Sequence, residues 1–167
     1  MKIEQLMYEF SYAGGINNSY YFTTENQITY HIKFKDTSYL FDGRLDFDIY
    51  AFEMVIEIED NPTGINPPLD LNMPLTIATI FNDFCEKFNQ RAIIYICDSS
   101  DIRQEARRRK FNQWVDQFKG DRYLKFDTKI KESPQITFHS SLIIRFDNPY
   151  KTQIIEAYVN LADEQKK

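Results

Sequence analysis

The chain has 167 residues, a formal net charge of −5 and a pI of about 5.1, with 43% hydrophobic and 16% aromatic residues. That apolar content supports one packed domain and excludes an intrinsically disordered chain. The acidic balance excludes bulk attraction to nucleic acid or to an anionic membrane, though not a local basic patch.

The N-terminus carries Glu4 and Glu9 and no continuous apolar stretch, and nothing in the chain approaches the run of about 18 apolar residues that a membrane span requires. A cytoplasmic protein with no membrane partner is the expectation. Cys85 and Cys97 each sit in apolar runs, FNDFCEKF and IIYIC, which reads as buried free thiols in a reducing compartment. The two His lie far from the Cys with no paired spacing, so no metal and no cofactor is expected.

Residues 1–19 show no clear pattern. Between residues 20 and 35, Ile28, Tyr30, Ile32 and Phe34 alternate with Thr29, His31, Lys33 and Lys35, which predicts a β-hairpin turning at Glu25-Asn26. In residues 52–60, Phe52, Met54, Ile56 and Ile58 alternate with glutamates and predict a strand with that apolar set inward. The Pro-rich stretch 61–70 reads as an internal crossover loop. Ile77, Ile80, Phe81, Phe84, Cys85 and Phe88 then recur at helical spacing over about 73–89, with Pro74 in the first turn. The unbroken apolar run 92–97 predicts a central strand covered on both faces. A helix at about 101–118, strands at 122–130 and 135–146, and a helix after Pro149 complete the chain. The expected architecture is a single α+β domain spanning residues 1–167, a mixed, mostly antiparallel sheet with about three helices packed mainly on one face.

The segment YICDSSDIRQEARRRKFNQW, residues 95–114, holds the candidate site. At about 100° per residue, Phe111, Val115 and Phe118 share one sector of the helix, with Trp114 at its edge. Arg107 falls inside that apolar sector, Arg103 and Arg108 flank it, and Glu105, Arg109 and Gln113 lie opposite. A buried guanidinium costs several kcal/mol unless it is paired, and Asp98 is the nearest partner in sequence. Asp101 is placed to act as N-cap. Two readings follow. The segment is an internal Asp98–Arg107 lock whose outer rim, chiefly Arg103, Arg108 and Arg109, is left for partners; or Asp98, Ser99, Ser100, Asp101, Arg103 and Arg107 surround an anion at the strand-to-helix turn.

Other motifs fail. An Asp-x-Asp phosphatase signature would need the second Asp one place earlier, and an Asp-x-Ser-x-Ser metal motif meets Ile102. His31, on the polar face of its strand, reads as an ordinary surface residue. His139 neighbours Ser140 but points to the opposite face. No G-x-S-x-G or Gly-rich phosphate loop is present. Residues 42–60 contain seven acidic side chains against Arg44, and residues 103–110 five basic ones against Glu105. An acidic face meeting the basic helix, within the fold or across a dimer, is one way to pair them.

Taken together, YYFTTENQITYHIKF, TIATIFNDFCEKF and the CDSSD-x-R-x-x-x-R-x-R-x-F-x-x-W segment resemble a family of small, mostly Bacteroidetes proteins known only as a domain of unknown function. The resemblance implies a small bacterial cytoplasmic protein and brings no activity with it. Two functions are expected: a non-enzymatic interaction or regulatory protein, with a protein partner or a second copy of itself; or an RNA- or nucleotide-directed, toxin-like protein gripping phosphate at 98–107, with nucleic acid contacted through the basic helix 103–110.

Overall fold

The computed structural model describes residues 7–41, 50–97 and 104–164. Alternation governs the first half. In β2 (Ser19–Thr23) Tyr20 and Phe22 are buried, and in β3 (Thr29–Asp36) so are Tyr30, Ile32 and Phe34. The predicted hairpin forms, with Tyr21 opposite His31, but the left-handed residue in its turn is Gln27 (φ 64°) rather than Asn26. Ahead of it lies a strand the sequence did not reveal, β1 (Phe10–Gly14), paired antiparallel with β2. Gly14 and Gly15, both at positive φ, turn one strand into the other.

A short 3₁₀ turn (Ser38–Phe41) follows, and β4 (Tyr50–Asp60) pairs antiparallel with β3. The loop 61–70 is a crossover, as its composition predicts. It leads through α1 (Met73–Glu86) to β5 (Arg91–Cys97), which lies parallel to β4. Helix α2 (Gln104–Phe118), strands β6 (Tyr123–Ser133) and β7 (Ile136–Arg145), and α3 (Lys151–Glu164) complete the chain. The seven strands form one sheet in the order β1-β2-β3-β4-β5-β7-β6, antiparallel except for β4–β5. The fold class is therefore the expected α+β.

The sheet separates two cores. Ile93 of β5 and Ile143 of β7 join Met54, Phe34 and Tyr20 beneath α1 and α2. Ala92, Ile94, Leu142 and Ile144, on the opposite face, pack beneath Ile154, Tyr158 and Leu161 of α3. This explains the unbroken apolar run of β5: consecutive residues feed different cores. Two helices thus share one face and the third covers only the β5–β7–β6 end of the other.

Several expectations fail for one reason, that covering stops before the periodicity does. Ile58 was placed inward but is 46% exposed, because β4 runs beyond the reach of α1. Phe88 is also exposed, because α1 ends at Glu86; Arg91 there donates to the Phe84 carbonyl at 2.7 Å, its guanidinium over the Phe84 and Phe88 rings. His31 is not an ordinary surface residue: it lies on the polar face as expected but is only 7% exposed, with Tyr21 stacked on it at 4.3 Å. Cys85 is buried and free, and burial pushes its thiol pKa up.

Candidate functional site

A parallel pair is held together only as far as its hydrogen-bond ladder runs. Between β4 and β5 that ladder covers Tyr50–Arg91, Ala51–Ala92, Phe52–Ile93 and Glu53–Ile94, then stops. Yet β4 continues to Asp60 and β5 to Cys97. The two strands therefore part towards their carboxyl ends. Past the last pair β4 is laddered only to β3, and β5 only to β7. The parting leaves the carboxyl ends of β4 and β5 unladdered to each other, on the sheet whose one face carries both α1 and α2.

Both helices that follow these strands start at that end. Helix α1 is anchored by Thr76, which is fully buried and accepts the Tyr8 backbone N–H at 3.0 Å. Tyr8 in turn donates its hydroxyl proton to Asp70 Oδ2 at 2.6 Å, and Asp70 Oδ1 accepts the Asn72 N–H at 2.9 Å. Helix α2 is fixed to β5 by the Phe111 ring, stacked on Tyr95 at 3.7 Å. Between the helices runs a shallow apolar groove, open to solvent, with Ile77, Phe81, Phe111, Trp114 and Phe118 on its walls and Met54 and Ile143 on its floor. The inward set predicted for α2 is the set that lines this groove.

Beside the β5 end lies a polar cluster that the sequence reading missed. Asp127 Oδ1 accepts the Ser141 hydroxyl at 2.6 Å and the Lys125 ammonium at 2.7 Å. Burial alone would raise the Asp127 pKa. The hydrogen bonds from Lys125 and Ser141, with the charges of Lys125 and Arg108, outweigh it and hold the carboxyl below its ordinary value. The signal was present: Lys-x-Asp on a strand puts both side chains on one face. What the sequence could not supply was that Ser141 pairs with Asp127 across β6–β7.

Of the predicted site residues, Asp98, Ser99, Ser100, Asp101 and Arg103 lie outside the described residues. So does the side chain of Arg107, and with it the proposed Asp98 pair. Arg108, expected to flank the apolar sector, is half-buried and acts electrostatically on Asp127. Arg109 is exposed as expected, and Lys110 sits over the Trp114 ring at 5.3 Å from its centroid. The acidic strand does not turn to the basic helix where it is described: Glu57 pairs with Lys33 of β3 at 2.8 Å, on the opposite face of the sheet from α2. Among the described residues no three acidic, His or Cys side chains gather in a metal-binding cluster, and no helix is long and apolar enough to cross a membrane.

The architecture is thus a seven-stranded α+β sheet with one parting parallel pair and a helix leaving each member of it. The model of a family of unknown function, DUF6169, matches residues 70–160, and the chain belongs to that family. The matched segment runs from the start of α1 through most of α3, so it contains both helices beside the parting strands. No curated protein matches the chain. Among solved structures, a CoA-dependent acyl-homoserine lactone synthase, MesI, is similar over 83% of this chain and 68% of its own, at 12% identity and a TM-score of 0.38. That likeness is too distant to carry an activity across.

Proposed function

We propose that the chain is a cytoplasmic protein that binds a small phosphate-bearing ligand of the nucleotide class where β4 and β5 part. The observation that carries this reading is the early end of the β4–β5 ladder, with α1 and α2 both beginning at the opened end. The segment joining β5 to α2 supplies the matching chemistry. Ser99, Ser100 and Arg103 offer hydroxyl and guanidinium donors to a phosphate, next to the free N–H groups of a helix start. The apolar groove on the same face offers the Phe111 and Trp114 rings to the flatter, less polar part of such a ligand. A protein-interaction role remains the competing reading, supported by the exposed Ile65, Leu69 and Leu71 in the crossover loop.

The only tryptophan, Trp114, lines the groove and provides the assay. Titration with ADP and with inorganic pyrophosphate should change its fluorescence, with an affinity that weakens as salt is raised. Arg103→Ala should reduce that affinity at least tenfold, while Arg109→Ala leaves it within twofold. No binding of either probe at millimolar concentration, or equal binding by the Arg103→Ala protein, overturns the reading.

A further inference from the structure

The uncovered face of the sheet carries a cluster that the parting strands do not use. His31 Nε2 lies 2.7 Å from the Ser19 hydroxyl, and His31 Nδ1 faces Glu59 Oε2 at 3.7 Å. Three strands contribute: Ser19 from β2, His31 from β3 and Glu59 from β4. The imidazole is almost wholly buried, although no helix among the described residues covers this part of the sheet, because Tyr21 stacks flat against it. Ring stacking and the Ser19 contact fix its orientation. With the Nδ1 proton turned to Glu59, Nε2 is left as the acceptor for the Ser19 hydroxyl proton. Among the described residues Lys33 and Glu57, paired at 2.8 Å, stand beside the imidazole on this face with Lys35 further along β3, and Lys33 supplies the positive charge nearest to Ser19 in the register.

We propose that Ser19, His31 and Glu59 form a nucleophilic acyl-transfer site for small activated esters. A hydroxyl on a positioned base, with a carboxylate behind that base, is the arrangement by which serine is made nucleophilic at neutral pH. In the forward step Ser19 Oγ bonds to the ester carbonyl carbon and its proton passes to His31 Nε2. The carbon–oxygen bond to the leaving group then breaks, and the departing oxygen takes the proton from Nε2. The acyl-Ser19 so formed is hydrolysed when water repeats the sequence through the same imidazole. Glu59 is a positioning residue, holding the ring tautomer and stabilising the transient imidazolium. The Tyr21 ring stacked on the imidazole crowds the approach to Ser19, which restricts the substrate to small acyl groups.

Two probes test this on the full chain, a fluorophosphonate and p-nitrophenyl acetate, with the modified residue located by peptide mass mapping. The expected result is a label on Ser19 in the unaltered protein, lost in Ser19→Ala. His31→Gln should slow labelling by about 10²-fold or more, the loss expected on removing a general base. Glu59→Ala should keep Ser19 labelling but slow it and change the Nδ1/Nε2 tautomer ratio read from the imidazole nitrogen NMR signals; a merely structural Glu59 would leave that ratio where it was. Because His31 is buried, its variant is compared only if its thermal unfolding remains cooperative, and the label on the unaltered chain stands as a test by itself. A folded, unaltered protein with no label on Ser19, or a cooperatively folding His31→Gln protein that labels as fast, overturns the proposal.

Discussion

The two ends of the sheet are built on different terms. Among the described residues the β1–β3 strands are covered on one face only, and β2 and β3 alternate apolar and polar side chains accordingly, while β4 also enters the second core through Ala51. The β5–β7–β6 end is covered on both faces, so Ile93 and Ile94, and likewise Leu142 and Ile143, are buried as consecutive neighbours. Covering, and not strand propensity, sets the pattern at each end. Both proposed sites lie where covering is incomplete: at the seam, where β4 and β5 part, and on the face around His31.

The largest test of this contrast strikes the single cover of the first end. Phe84 of α1 stacks on Phe34 at 4.1 Å and meets Phe52 edge-on at 5.0 Å. Phe84→Ala should cost about 3–5 kcal/mol in denaturant unfolding, since its buried ring meets both Phe34 and Phe52. The second cover of the other end is held more lightly. Tyr158 of α3 donates to Ser140 Oγ at 2.8 Å with both groups buried. Tyr158→Phe should therefore cost about 1–3 kcal/mol, the penalty of leaving a buried hydroxyl unpaired.

Two smaller effects separate the polar clusters of the two ends. Asp127 has its pKa held below the ordinary carboxylate value, so it stabilises the fold above that value and loses the contribution as pH falls through its lowered one. Asp127→Asn should cost about 1 kcal/mol at neutral pH and flatten the acid limb of the stability profile. On the bare face, Lys33→Ala breaks the Glu57 pair and should cost under about 1 kcal/mol, because solvent already screens the partner carboxylate. A larger loss from Lys33→Ala than from Asp127→Asn would show that the bare face is not bare in solution.

What was legible in the sequence followed from burial against a regular element. The hairpin and the apolar sector of α2 were read from spacing, because each meets one core; β5 was read from an unbroken apolar run, because its neighbours feed two cores, and the crossover from its prolines. The edge strand β1 was not, since it presents Tyr12 half-exposed at the rim of the sheet and its pattern is too short to register. Ile58 and Phe88 were misread because a period does not announce where the covering element ends. His31 was misread because its shelter comes from Tyr21 across the strands, a contact that no local window contains. The parting of β4 and β5 was invisible for a similar reason: spacing marks strands, not the length over which two of them remain paired.

The order β5-β7-β6 also bears on how the chain is made. β7 is the last strand in sequence, yet it fills the position between two earlier ones. As the polypeptide leaves the ribosome, β5 and β6 emerge before the strand that joins them. Until Ile136–Arg145 follows, β5 offers an apolar edge with backbone groups unpaired on that side, the kind of surface that recruits other chains. A nascent protein halted between residues 97 and 136 is therefore the form most exposed to aggregation, and completion of β7 is the event that closes that window.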